Sequence, residues 1–106
     1  MAIELTPAQH AFLRSSARIL RADMIVGKAG VDAGAVGHVR RLLTQKELIK
    51  VRLLKAAGED RAHLAEELAR RADAALVDVV GRVVVLYRRN PKLPAGQRID
   101  LPDYSK

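Results

Sequence analysis

The spacing of apolar residues changes along the chain, and each change marks an element. Thr6-Pro7-Ala8-Gln9 reads as a helix start, with a hydroxyl at the N-cap, proline in the first turn and glutamine placed to close a capping box. The pattern predicts a helix to about Arg21, with Phe12, Ile19 and Leu20 as a modest apolar face. Met24-Ile25-Val26 predicts a short strand, and Gly27-Lys28-Ala29-Gly30 a loop. Asp32 is a good N-cap for a second helix ending near Gln45, with Val36, Val39 and Leu43 on one face.

From Leu48 to Leu54 the period drops to two. Ile49, Val51 and Leu53 alternate with Lys50 and Arg52, as in a half-buried strand. Gly58 breaks the run, and Asp60 caps a third helix to about Ala72. Leu64, Leu68 and Ala72 line its buried stripe, while Glu66/Arg70 and Glu67/Arg71 stand in i,i+4 pairs on the wet face. Ala75–Val80 and Val83–Arg88 are valine-rich strands, and Gly81-Arg82 between them suits a type II′ hairpin turn with glycine first. The predicted order is α-β-α-β-α-β-β: a small two-layer α/β domain over residues 1–89 with a mixed four-stranded sheet. The final hairpin excludes a purely parallel sheet. Three of the four prolines fall after Arg89, which predicts an extended tail over 90–106, with Ile99-Asp100-Leu101 able to add a short edge strand.

Composition narrows the function classes. The longest uninterrupted apolar run, Val83–Tyr87, is five residues, where a spanning helix needs about 20. The opening MAIELT has no basic stretch of the signal-peptide kind. The expectation is a soluble cytoplasmic protein and a monomer, with no membrane partner. Zero cysteines exclude disulfides, thiolate metal sites and cysteine nucleophiles. His10, His38 and His63 fall on three different predicted helices without metal-ligand spacing. No serine sits in a nucleophile motif such as G-x-S-x-G. The expectation is therefore no catalysis, no metal, no cofactor and no small-molecule substrate. Asp78 has no role legible in the sequence.

The net charge of +7 is unevenly spread. Residues 1–56 hold ten Lys/Arg against four Asp/Glu, and residues 57–106 hold nine against eight. A basic half on a small domain points to a polyanion, most often nucleic acid. The sharpest local feature is Gly27-Lys28-Ala29-Gly30. Its glycines permit close backbone approach, the following helix start offers free N–H groups, and Lys28 supplies an ammonium. That combination suits a backbone phosphate, as in the G-x-x-G loop of KH domains. The expression alone is weak, since a second copy, Gly34–Gly37, falls inside the second predicted helix. Only the first follows a strand, precedes a helix and contains lysine.

His10, Arg14, Arg18 and Arg21 lie on one narrow strip of the first predicted helix, with no acidic partners on it. Lys50 and Arg52 share a strand face, and Arg40 and Arg41 end the second helix. Any of these charges can equally be an ordinary solvated face. With Phe12 expected in the core, Tyr87 and Tyr104 are left as the only aromatic platforms. An RNA partner should therefore be gripped through phosphates and shape, with limited base reading.

Several segments in order resemble the CRM domain (chloroplast RNA splicing and ribosome maturation), in its standalone bacterial YhbY-like branch. They are LTPAQHAFLRSSARIL, MIVGKAGVDAG, ELIKVRLL, EDRAHLAEELA, LVDVVGRVVVLYR and IDLP. The resemblance runs from about Leu5 to Pro102. It implies a fold like the C-terminal domain of translation initiation factor three with an added leading helix. It also implies binding to ribosomal RNA on precursors of the large ribosomal subunit and a part in their assembly. The family's G-x-x-G loop maps onto Gly27–Gly30, and its basic surface onto Arg14, Arg18, Lys28, Lys50 and Arg52. A second reading is a protein-interaction module that docks on a ribosomal protein or assembly factor through the third helix or the tail.

Overall fold

A computed structural model describes residues 4–102 of the chain. Three helices, α1 (Pro7–Ala17), α2 (Ala33–Gln45) and α3 (Arg61–Arg71), accompany four strands, β1 (Met24–Val26), β2 (Leu48–Leu53), β3 (Ala75–Val80) and β4 (Val83–Tyr87). The sheet order is β1-β2-β4-β3. β1 runs parallel to β2, whereas β4 pairs antiparallel with both β2 and β3. The alternation of element types thus yields the expected small α/β domain with a mixed sheet.

The main core lies between one face of the sheet and the helices α2 and α3. Ile49, Val51 and Leu53 meet Val36, Val39 and Leu43 of α2 and Ala65, Leu68 and Ala72 of α3 there, with Val84 and Leu86 of β4. The helix caps work as the sequence predicts, Asp32 accepting from the Ala35 amide at 2.8 Å and Asp60 from that of His63 at 3.1 Å. On the outer face of α3, Arg71 approaches Glu67 at 3.8 Å. Gly81 takes φ +59, while Arg82 keeps negative φ, as a type II′ hairpin requires.

The opposite face of the sheet is covered along part of its length by α1, so the domain gains a third layer there. Leu13 and Ala17 of α1 pack on Leu48, Val77, Val85 and Tyr87, with Ile99 and Leu101 of the C-terminal segment beside them. β2 is therefore covered on both sides along part of its length, rather than half-buried. α1 is shorter than its sequence suggests. It ends at Ala17 instead of Arg21, and turns inward Gln9, Leu13 and Ala17, four residues apart. Phe12 is 39% exposed and Ile19 88% exposed, so neither is core. At the helix end the Lys50 ammonium donates to the carbonyls of Ala17 (3.0 Å) and Leu20 (2.9 Å), satisfying groups the helix leaves open and holding the chain where it departs.

Two further features explain residues the sequence left open. Leu76 pairs with Leu86 and Asp78 with Val85, so Val77 is the extra residue of a β-bulge. The Asp78 carboxylate accepts from the Val79 amide at 2.9 Å, steadying that irregularity. In the C-terminal segment, residues 99–101 form no strand. The Glu47 carboxylate, 2% exposed, instead accepts the backbone N–H groups of Asn90 (2.6 Å) and Ile99 and fastens the segment to the domain. The amide of Gln9 closes the Thr6 capping box and also donates to the Pro102 carbonyl at 3.1 Å. Among the described residues no helix is long and apolar enough to cross a membrane.

Candidate nucleic-acid interface

β1 ends at Val26, and the chain turns immediately. The Gly30 amide donates to the Gly27 carbonyl at 2.8 Å, and the Asp32 amide to the Gly30 carbonyl at 2.9 Å. The four residues Gly27–Gly30 thus form a closed turn with Lys28 and Ala29 exposed at its tip. The tip N–H groups of Lys28 and Ala29 have no partner among the described residues. Gly30 needs to be glycine for its φ of +69. Gly27 has no such need, since a Cβ there would meet nothing nearer than Leu54 Cδ1 at 3.8 Å.

The walls of the turn are held by arginines. The Arg71 guanidinium donates to the Val31 carbonyl, tying the loop exit to α3. Arg82, in the hairpin turn, donates to the carbonyls of Leu53 (2.7 Å), Leu54 (2.8 Å) and Gly58 (2.9 Å). These contacts set the hairpin turn, the 54–58 crossing and the Gly27–Gly30 loop at one end of the sheet. The sequence places Arg71 in a pair with Glu67 and Arg82 in the hairpin turn but does not show these bonds, because an arginine serving backbone carbonyls has the same local pattern as a solvated one. Asp32 occupies the start of α2 with its own carboxylate. The open groups of this loop are therefore the tip amides and Lys28 rather than the capped helix end.

The strip expected on the first helix divides. His10 turns inward, its Nδ1 lying 3.2 Å from the Val77 carbonyl at the bulge. Arg14 is exposed on α1, Arg18 is its C-cap, and Arg21 lies on the connection to β1. Lys50 and Arg52 also part in role. The Lys50 ammonium is committed to the end of α1, whereas Arg52 stands exposed. Lys46 pairs with Asp23 at 2.8 Å. The side chains of Arg14, Arg18, Arg21, Lys28 and Arg52 form no hydrogen bond or ion pair with any described residue. Arg40 and Arg41 are exposed near the end of α2, remote along that helix from the loop.

The aromatic inventory also changes. Tyr87 is 1% exposed and belongs to the core under α1, so it is no stacking platform. Tyr104 lies outside the described residues. The second glycine pair, Gly34 and Gly37, lies within α2, as expected. His10, His38 and His63 stand on separate helices, and among the described residues no three His, Cys, Asp or Glu side chains are grouped to hold a metal ion.

The family profile described as the CRS1 / YhbY (CRM) domain matches residues 5–88, from the approach to α1 through the end of β4. The chain belongs to the CRM family. A relative in Bacillus subtilis, named Probable RNA-binding protein YqeI, is 36% identical over 98 residues, covering 92% of this chain and 99% of its own. A Pseudomonas aeruginosa relative with the same style of name is 35% identical over 88 residues, covering 83% of this chain and 85% of its own. A solution structure from Staphylococcus aureus, titled as a candidate RNA-binding protein, superposes with a TM-score of 0.78 at 32% identity. It covers 93% of this chain and 100% of its own. Within this CRM domain, the GKAG turn and the uncommitted arginines all fall inside the family match, and the Glu47-anchored segment after Arg88 falls outside it.

Proposed function

We propose that this CRM-domain protein binds RNA, and that its target is ribosomal RNA on precursors of the large ribosomal subunit, whose assembly it assists. One observation carries the RNA reading. Five cations without a described partner (Arg14, Arg18, Arg21, Lys28 and Arg52) lie along the α1 side of the sheet and at a turn whose tip amides are open. Such a surface suits a chain of phosphates better than a single anion. The names of the relatives support the same class of partner. The ribosomal target is supported by the resemblance of the GKAG, ELIKVR and GRVVVLYR segments to proteins of ribosome maturation.

In this reading Lys28 and the amides of Lys28 and Ala29 hold one phosphate, and Gly27 and Gly30 keep the approach free of side chains. Arg14, Arg18, Arg21 and Arg52 hold neighbouring phosphates. Lys50 acts one step back, by placing the end of α1 and with it Arg18. The protein works as a monomer in the cytoplasm, without cofactor or chemical step. Crosslinking in cells followed by sequencing of the attached RNA tests the target. Reads concentrated in precursors of the large-subunit RNA are expected. Reads spread over messengers would overturn the ribosomal part. Association with particles that resists both salt and nuclease would replace it with docking on protein.

A further inference from the structure

The α1 side of the sheet is only partly roofed. Lys50 and Val85 are cross-strand partners on that side, the first bonded to the end of α1 and the second packed under it. Two residues further toward the loop end, Arg52 and Val83 point the same way, because strand side chains alternate. Arg52 pairs with Ile25 on β1 and with Val83 on β4, and Val83 pairs with Val80 on β3. Ile25, Arg52, Val83 and Val80 thus form one straight row across all four strands. At about 4.8 Å between strands the row is roughly 14 Å long.

α1 stops short of this row, its end fastened by Lys50 at Ala17 and Leu20. Ile25 is 58% exposed and Val80 62%, high values for large apolar side chains in a sheet. A cleft of about 270 Å³ opens where the row meets the helix end, lined by Ala17, Arg18, Lys50, Val80, Val83 and Val85. It falls just under the ~300 Å³ at which sites for drug-sized molecules begin.

Charge decides the occupant. Arg18 and Arg52 flank the apolar strip and have no partner among the described residues. The nearby carboxylates are engaged, Asp78 with the Val79 amide and Asp23 with Lys46 and the Lys50 amide. A flat apolar strip edged by free guanidinium planes, beside an open-amide turn, fits a polyanion with exposed ring faces.

We propose that this row is a base shelf. It receives unstacked bases of a single RNA strand, lying on Ile25, Val83 and Val80 and against the Arg52 plane, while the adjoining phosphates sit at Arg18, at the edge N–H groups of Arg52 and at the GKAG turn. The inference rests on the RNA reading above and adds that bases, not only phosphates, are contacted. Guanidinium planes and β-branched side chains here do the work that aromatic rings do on other single-strand platforms.

The test uses the full chain and three short RNAs of equal length: a single strand, a duplex, and a strand with abasic sites throughout. Wild type should bind the single strand about tenfold tighter than either of the others. Arg52→Lys keeps the charge but loses the plane, and Ile25→Thr with Val80→Thr keeps β-branching on exposed positions. Each should weaken single-strand binding several-fold and leave the abasic strand unaffected. Equal affinity for the abasic and ordinary strands would overturn the shelf while leaving phosphate binding standing. Absence of binding to all three RNAs would overturn the RNA reading with it. If the threonine variant instead dissociates a dimer, the row is a contact between copies and the shelf is wrong.

Discussion

The Lys50 ammonium lies 3.0 Å from the Ala17 carbonyl oxygen, across the sheet from the core, and this contact decides what the rest of the face can do. It caps the end of α1, commits one cation to structure, and leaves the next row of the sheet uncovered. A residue that reads as surface charge is thus part of the frame that presents the others.

Substitutions at Lys50 and Lys28 separate these roles. Lys50→Met retains the apolar stem and removes two bonds from a charged donor to backbone carbonyls. It should cost about 1–2 kcal/mol, measured by urea denaturation. The slope of log affinity for single-stranded RNA against log salt should stay unchanged, whereas Lys28→Ala should make it shallower by about 0.7. A lower slope in the Lys50 variant would place its ammonium on a phosphate.

The two glycines of the turn should behave differently. Gly30→Ala forces alanine to φ +69 and should cost about 1 kcal/mol in stability. Gly27→Ala meets no close atom and should leave stability within about 0.5 kcal/mol of wild type. Its RNA affinity should nevertheless fall, if the backbone there is approached by a phosphate. Paired melting and binding titrations distinguish the two.

Glu47 anchors the C-terminal segment by accepting two backbone amides in a buried site. Glu47→Gln has one acceptor oxygen and sets an amide donor against the other N–H. It should cost about 2–3 kcal/mol. Trypsin should then cut at Arg89 or Arg98 faster than elsewhere in the chain. Unchanged cleavage at those sites would show that the segment is held by Ile99 and Leu101 alone.

Much of the architecture is legible in the sequence because local rules agree with it. The Thr6-Pro7-Gln9 start, the Asp32 and Asp60 caps, the period-two run of β2 and the Gly81-Arg82 turn each carry their own chemistry, and each element forms where that chemistry puts it. The errors are tertiary. The helical pattern past Ala17 continues on paper, but there the backbone closes in a tighter turn, Leu20 N–H to the Ala17 carbonyl, and Lys50, from β2, caps the Ala17 and Leu20 carbonyls. Tyr87 looks like a platform until α1 is folded over it. His10 reads as part of a basic strip until the bulge at Val77 places a carbonyl 3.2 Å from its ring. The GKAG turn is visible as a motif. Which cations remain uncommitted is settled only by the long-range bonds of Lys46, Lys50, Arg71 and Arg82.

RNA binding by the GKAG turn and the face beside α1 is tested by the affinity of the Lys28→Glu, Arg52→Glu double variant for a single-stranded fragment of large-subunit ribosomal RNA at about 0.1 M salt. Each lost phosphate contact removes roughly 0.7 of a decade there, so affinity should fall at least about 25-fold. Both side chains are exposed, so the thermal midpoint should stay near that of wild type. Wild-type affinity in a folded double variant would contradict the account.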